Sequence, residues 1–537
     1  MCGIFAFLSN GDVNVYTDEF LKILRENSNL INYRGPDNTK ELIINNSIYM
    51  IFHRLSINDL SYNGDQPMVL NNCYLICNGE IFNHVHLKHC YNFHTFSNSD
   101  CEIILHLYSY LKNSNSADII DELCNIIDGE FSFILFDADI NTTYVARDPY
   151  GVRPLFIGYT ENEDVVFSSE LKGLSKICYK TEQFKPGSYM TIYDDLSTLA
   201  SNYHSLILYN IPDKYNSILE NINYYFRLAV YKRMMSEKEV CSLLSGGLDS
   251  SLVASILSDK LGPYKLKTFS IGLKNSPDLQ NALLVSSHIK SIHYNVELTE
   301  QDFLDAIPVV IYNIESYDTT TVRASVGNYL ISKYIKENTD CKVVFNGDYA
   351  DEVCGGYKYM KKAPTDNEFS NECIRLVNDI HYFDCLRSDR SISSNGLEGR
   401  VPFADKFFVN YYLSIPVKYR TSKNCLEKLL LRNAFANDNL LPDEVLFRPK
   451  EAFSDGVTTE NRSWHKIIKE FIDTKMTDEY FEKNKSKYTH NTPVLKESLY
   501  YREIFETYFN KHSNVIPYFW MPKWCENIND PSARELL

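Results

Sequence analysis

Apolar and polar positions change rhythm once along this chain, near residue 210. Before it, short apolar runs at 73–77, 131–136 and 165–167 are broken by Asn-Gly, Asp-Gly and Pro-Gly pairs, which is the punctuation of strands. Two stretches, around 17–30 and 100–112, instead repeat apolar residues every three or four positions and predict helices. The first part therefore reads as an α+β unit, a sheet layer with helices packed on it. Beyond 210, a short buried strand at 240–244 is followed by a glycine turn and a helix predicted over 251–261. Strands at 267–271 and 342–345 then alternate with helices, as a parallel α/β sheet requires, and 365–440 is mostly helical. We place the boundary near 203–212, just past the Pro186-Gly187 turn, which gives units of 1–205 and 206–537.

Composition narrows the chemistry only in part. The 537 residues are 44% hydrophobic, enough for two real cores, and no low-complexity stretch or internal repeat is present. With 70 acidic against 54 basic residues the net charge is −16, so there is no global positive field for nucleic acid or an anionic membrane. Phosphate ligands stay open, because backbone amides and one cation can hold them locally. The 14 cysteines are scattered without the dense spacing of a disulfide scaffold. No apolar run approaches the ~20 residues of a membrane helix, and the first eight residues lack the basic start of a secretory signal. A reducing, cytoplasmic setting is expected. His84, His86, His89, Cys90 and His94 form the densest soft-ligand cluster, but their spacing matches no zinc finger and reads as compositional.

One cysteine stands apart. Cys2 follows the initiator Met and precedes Gly3, so removal of Met1 would leave an α-amino group and a thiol on one residue. An amine of pKa about 7.7–8.0 can act as base for that thiol near neutrality. Asn78-Gly79 offers an amide side chain and a glycine N–H at what reads as a strand end, the uncharged donors that an oxyanion hole needs. Arg54 could grip a carboxylate and Asp100 an ammonium group. Taken singly, each of these is more often a buried, turn or surface residue. Further along, Ser245-Gly246-Gly247-Leu248-Asp249-Ser250-Ser251 lies between a strand and a helix. Glycines allow close approach to a phosphate, hydroxyls and helix amides donate to it, and Asp249 makes sense beside phosphate only as a Mg²⁺ ligand. No Walker lysine follows, so this is not a P-loop.

Together these segments resemble known families. Met1-Cys2-Gly3-Ile4, Arg34-Gly35-Pro36-Asp37, Asn78-Gly79-Glu80-Ile81 and Arg147-Asp148-Pro149-Tyr150-Gly151 resemble the class II glutamine amidotransferase domain, an N-terminal-nucleophile αββα sandwich. Tyr33 stands where some members carry His, and no role is assigned to it. The 245–251 run resembles the PP-loop of ATP pyrophosphatases. Ser276-Pro277-Asp278-Leu279, the run from Tyr317 to Ser325, Arg448-Pro449-Lys450-Glu451-Ala452-Phe453-Ser454-Asp455-Gly456, Trp520-Met521-Pro522-Lys523-Trp524 and Asp530-Pro531-Ser532-Ala533-Arg534 resemble the asparagine synthetases, the animal type in particular. The likeness spans essentially the whole chain, with both halves in the family's order.

The resemblance implies Cys2 as nucleophile on glutamine, with Asn78 and Gly79 as oxyanion hole and Arg54, Asn78, Glu80 and Asp100 binding the amino acid. It implies ATP as co-substrate, held by Leu244, Ser245, Gly246, Gly247, Asp249, Ser250, Ile271, Asn346, Gly347 and Lys450, with Mg²⁺ on Asp249 and Asp351. Thr320, Thr321 and Arg323 would line the aspartate and adenylate site. The expected ligands are glutamine, aspartate and ATP, with a homodimer allowed and neither nucleic acid nor membrane as partner. One departure matters: the family's Ser-Gly-Glu-Gly-Ser-Asp-Glu is here Asn346-Gly347-Asp348-Tyr349-Ala350-Asp351-Glu352. The family's catalytic glutamate becomes Asp348, one methylene shorter. Slowed rather than abolished synthesis is expected, since a misplacement of about 1 Å can cost ~10²-fold. The milder change to Ala404 in Glu398-Gly399-Arg400-Val401-Pro402-Phe403-Ala404-Asp405 is expected to affect packing only. Two other readings compete: an amidotransferase with another acceptor, which the PP-loop disfavours, and a degenerate member that binds the substrates but turns over poorly.

Overall fold

The computed structural model describes residues 1–9, 16–114, 116–423, 425–450, 456–458, 462–525 and 528–532. Its first part contains two six-stranded sheets, every adjacent pair antiparallel. One runs in the order Lys180–Gln183, Phe156–Tyr159, Val165–Ser168, Gly3–Leu8, Ile48–Arg54, Asn38–Ile44. The other runs Thr198–Asn202, Ser188–Ile192, Thr142–Arg147, Gly129–Asp137, Cys73–Ile81, Met68–Leu70. Side chains alternate across each strand, and here both faces are covered. Ile4, Ala6 and Leu8 join Met50, Phe52, Ile76, Ile134 and Phe136 in a core that draws on both sheets. Phe5 and Phe7 point the other way, into a core with Leu21 and Leu24 of the helix Asp18–Ser28. On the outer face of the second sheet, Leu75, Cys77, Phe133 and Leu135 meet the helices Ile103–Asn113 and Ile119–Ile126. Helix, sheet, sheet and helix make four layers, so strands that read as continuous apolar runs are buried on both sides.

The strand that begins at Cys73 does not stop at Cys77. It runs to Ile81, with Asn78, Gly79 and Glu80 opposite Ser132, Phe131 and Glu130. The polar trio thus lies inside the ladder rather than at a strand end, because the neighbouring strand satisfies its backbone whatever its side chains are. Gly79 is obligatory there: a Cβ would stand 2.6 Å from the Glu130 carbonyl and 2.8 Å from the Phe131 Cα.

The second part is built on a five-stranded parallel sheet in the order Ile292–Leu298, Lys267–Leu273, Val240–Leu243, Val343–Phe345, Glu398–Arg400. From Val240–Leu243 the chain winds to one side, and it later returns to Val343–Phe345 on the other. The loops after these two strands therefore open a crevice at a topological switch point, the usual ligand position in such sheets. The helix after the first loop spans Leu248–Leu261, three residues earlier than predicted, because Gly247 takes an extended conformation and caps it. Asp249 consequently sits in its first turn. Glu398–Arg400 carries no apolar signal and was not predicted; it is nonetheless fully buried, its two charges paired with each other. Among the described residues no helix is long and apolar enough to cross a membrane.

Buried ions fasten the two parts together. Arg34, entirely buried, donates to Glu170 at 2.5 Å and to Asp389 at 2.8 and 3.2 Å. Glu315 accepts the backbone N–H groups of Leu171 and Lys172 at 2.9 and 2.7 Å. Arg34→Met strands the buried Asp389 carboxylate and leaves Glu170 to Lys172 alone, and removing one partner of such a pair costs about 3–5 kcal/mol. Denaturant unfolding of this variant is expected to show a loss of that size, and a loss below about 1 kcal/mol would refute the coupling role.

Candidate functional site

Two sites are built on this frame. The first surrounds Cys2, the half-buried residue just ahead of the strand Gly3–Leu8. Its Sγ lies 3.4 Å from the Leu55 N–H nitrogen and 3.8 Å from the Leu55 carbonyl. Loss of solvent pushes the thiol up to about 11, with nearby Glu398 and Glu80 adding to the rise. Met1 is buried, and its amine pairs with Glu398 at 3.3 Å. Asn78 is 1% exposed, and neither atom of its amide has a hydrogen-bond partner. An uncharged donor kept buried and unpaired suits a site where negative charge develops only during reaction.

Glu80 and Asp100 face each other across Asn58, whose Nδ2 donates to them at 2.6 and 3.2 Å. Burial raises the pKa of both carboxyls, and for Glu80 the neighbouring Asp100 adds to it. Such a pair suits an ammonium ligand. Arg54 differs from expectation. Its guanidinium donates to Asp65 at 2.6 Å, to the Ser61 carbonyl at 2.6 Å and to the Asp59 carbonyl, so it braces the 59–65 turn instead of standing free for a carboxylate. Arg400, which the sequence did not single out, reaches Glu80 at 3.3 Å from the other half of the chain.

The second site is a cavity of about 250 Å³ at the switch point, lined by residues of the loops after Val240–Leu243 and Val343–Phe345. Of the predicted nucleotide residues, Leu244, Ser245, Gly247, Asp249, Ser250, Ile271, Asn346, Gly347 and Lys450 line it, with Thr320, Thr321 and Arg323 opposite. Gly246 is not in the wall. It adopts φ +73°, and a Cβ there would meet Asn281 at 2.4 Å, so its role is to let the loop pass against the next helix. Thr320 and Thr321 lie in the first turn of the helix Thr319–Asn338, which Asp318 caps by accepting from the Thr321 N–H at 2.9 Å. Arg323 is spoken for, paired with Glu497 at 2.6 Å and Asp530 at 2.8 Å. Its charge is therefore already neutralised from the C-terminal segment.

Asp249 and Asp351 converge as predicted, and between them lies a residue the sequence did not reveal. Lys428 Nζ is 2.6 Å from both Asp249 oxygens and 2.7 Å from Asp351, and its side chain is 1% exposed. Lys450 also pairs with Asp351. The two lysines hold the Asp351 carboxyl well below its usual range against the cost of burial. Lys428 sits at φ +56° with no motif around it, which is why spacing could not find it. Its stem also requires Gly356, where a Cβ would come within 2.8 Å of it.

Asp348 is engaged as well. Arg387 donates to it at 2.6 Å and Ser388 binds its other oxygen. Tyr349, next to it, occupies a left-handed conformation at φ +75°, and its hydroxyl meets Cys385 at 2.5 Å. In the histidine cluster, His86 and Cys90 touch one turn apart at 3.4 Å; among the described residues no group of three or more His, Cys, Asp or Glu could hold a metal. The motif residues 451–455 and 533–534 lie outside the described residues.

The sequence also matches two family models, a glutamine amidotransferase domain over residues 1–207 and asparagine synthase over 221–371 and 361–530. It is 40% identical over 570 aligned positions to the glutamine-hydrolysing asparagine synthetases of Gallus gallus and of Homo sapiens, covering 100% of this chain and 98% of each relative. Among solved structures, an allosteric regulatory enzyme of purine biosynthesis matches 51% of this chain and 66% of its own at 19% identity and a TM-score of 0.31. With the relatives matched from end to end, the chain belongs to the glutamine-hydrolysing asparagine synthetase family.

Proposed function

We propose that this protein makes asparagine from aspartate, with ATP as co-substrate and glutamine as nitrogen donor. The side-chain carboxylate of aspartate attacks the α-phosphorus of ATP, giving β-aspartyl-AMP and pyrophosphate. Ammonia released from glutamine at Cys2 then attacks the acyl carbon, and AMP leaves. The observation that carries this reading is the pairing, in one chain, of a thiol that feels the Glu80 carboxylate, on the strand that carries the unpaired Asn78 amide, with a cavity whose wall includes Ser245, Gly247, Asp249 and Ser250. We assign residues 1–205 to glutamine hydrolysis and 206–537 to synthesis. Cys2 acts as nucleophile once Met1 is gone and its own amine can take the thiol proton; Asn78 Nδ2 and the Gly79 N–H receive the oxyanion. Glu80 and Asp100 take the glutamine ammonium, and Arg54 keeps the adjoining turn in shape.

In the synthetase half, the PP-loop hydroxyls and the amides at the start of the helix Leu248–Leu261 bind phosphate. Asp249 and Asp351 suit a divalent ion, since two hard carboxylates already converge on one buried cation. They would hold Mg²⁺, whose charge would offset that of the pyrophosphate. Lys450 and Lys428 leave the carboxylates for phosphate oxygens as the nucleotide enters, and Lys450 offsets charge in the transition state. A free thiol at Cys2 fits a cytoplasmic setting.

The decisive assay gives the protein aspartate, Mg-ATP and either glutamine or ammonium, and measures asparagine and pyrophosphate. Binding of all substrates without product would favour the degenerate member over the enzyme. Cys2→Ala is expected to cut glutamine-dependent synthesis by about 10³-fold or more while ammonium-dependent synthesis stays within about twofold, since only the nucleophile is lost. Loss of both would sink the separate-sites reading. Asp348→Glu restores the missing methylene and is expected to raise the ammonium-dependent rate by about 10- to 100-fold; an unchanged or lower rate contradicts the account of slow turnover.

A further inference from the structure

The cavity is electrically lopsided. At its PP-loop end, two carboxylates and two lysines balance. At the other end, Asp348, Glu352 and Asp384 gather around Arg387, which pairs with Asp348 at 2.6 Å and Asp384 at 2.9 Å; Lys358 is in the same lining, but among the described residues Arg387 is the cation that pairs with these carboxylates. The Glu352 and Asp384 carboxyls lie within hydrogen-bonding reach of each other, and Tyr357 donates its hydroxyl to Glu352. Buried carboxyls in excess of cations are costly unless a ligand supplies the missing positive charge.

A second observation, independent of the acids, also points to a ligand. In the same wall Asn346 is 3% exposed and its Nδ2 has no partner, while its Oδ1 accepts from the Asp348 N–H at 3.1 Å. Thr320 Oγ1 and Arg387 Nε are likewise buried without partners. Unpaired donors call for carboxylate or phosphoryl oxygens, and the acids call for an ammonium group. An α-amino dicarboxylate carries both.

Resting on the reading of the protein as an aspartate amidator, we propose that Asp384, supported by Glu352, is the subsite for the α-ammonium group of the amino-acid substrate. This subsite makes the enzyme choose aspartate over dicarboxylates that lack the amine. Arg387 holds Asp384 in place from one turn on, at the entrance of the π-helical segment Leu386–Arg390. The end of aspartate that does not react is thereby anchored away from the lysines, and its side-chain carboxylate is left to face the nucleotide.

The test uses the full-length protein with ammonium as nitrogen source. Pyrophosphate formation is followed against aspartate, and binding of aspartate and of succinate, which is the same dicarboxylate without the amine, is measured calorimetrically beside a non-hydrolysable ATP analogue. A charge-assisted hydrogen bond of this kind is worth about tenfold or more in affinity. Wild-type protein is expected to prefer aspartate to succinate by at least about tenfold. Asp384→Asn is expected to raise the aspartate KM by about that factor, with kcat changed by less than about threefold, and to collapse the preference to about threefold or less. Asp384→Ser reads the same quantities should the amide variant not fold. Equal binding of aspartate and succinate by the wild type, or an unaltered KM and preference in the variants, overturns the subsite. A wild type that forms no pyrophosphate overturns the proposed function instead, and the binding preference still judges the subsite.

Discussion

Arg400 is the residue on which the arrangement of the two sites depends. Its side chain is fully buried, donates to Glu398 and to the Arg233 carbonyl, and reaches Glu80 in the Cys2 site. Its own carbonyl accepts the Asn346 N–H at 3.1 Å, at the start of the loop that forms the nucleotide cavity. A guanidinium in a low-dielectric interior must be paired, and its planar fork fixes the directions of its partners. One buried charge therefore sets the glutamine-site strand and the nucleotide-site loop at a defined separation. The parallel ladder between Glu398–Arg400 and Val343–Phe345 makes that link stiff.

The same rule governs the rest of the interior. Arg34, Arg153 and Arg233 are buried and pair across the two parts, with Asp389, Glu398 and Glu130 respectively, where a simpler interface would use apolar packing; Arg390, also buried, pairs with Glu315 inside the second part. Fully paired, they act as rigid spacers; half paired, each would be a strong penalty. That contrast separates structure from function here. The structural charges are matched, as with Arg323 against Glu497 and Asp530. The Asn78 amide is unpaired, and the acidic end of the cavity is under-compensated, in the two places proposed to take ligands.

Lys428 shows how facing carboxylates are made compatible. Two carboxylates facing each other would repel, and the lysine between them removes that repulsion at a cost of desolvation which their attraction offsets. In the proposed reaction a nucleotide and a divalent ion would offer the same carboxylates and the same lysine new partners of opposite sign to themselves. The preformed site exchanges partners without needing to create charge.

The two-part plan, the α+β character of the first part, the parallel sheet of the second and the glycine loop between strand and helix all follow from local pattern, whereas the αββα layering came with the family resemblance. Hydrophobic period and turn chemistry act over a few residues, so the sequence alone determines them. Residue chemistry drew attention to Cys2, Asn78 and Asp249, and the family resemblance added Glu80, Asp351 and Asp348 by position. Tertiary structure alone decided which charges are spent. Arg54 and Arg323 look from their motifs like ligand grips, yet carboxylates or carbonyls distant in the chain or in a neighbouring turn have already claimed them. Lys428, Asp384 and Arg387 stood in no quoted motif, and Arg400 stood in one that gave it no role, because what gives these residues their roles is convergence, across up to 320 residues of chain from Glu80 to Arg400. Pairing of buried charge is a property of where side chains meet. No window along the sequence contains it.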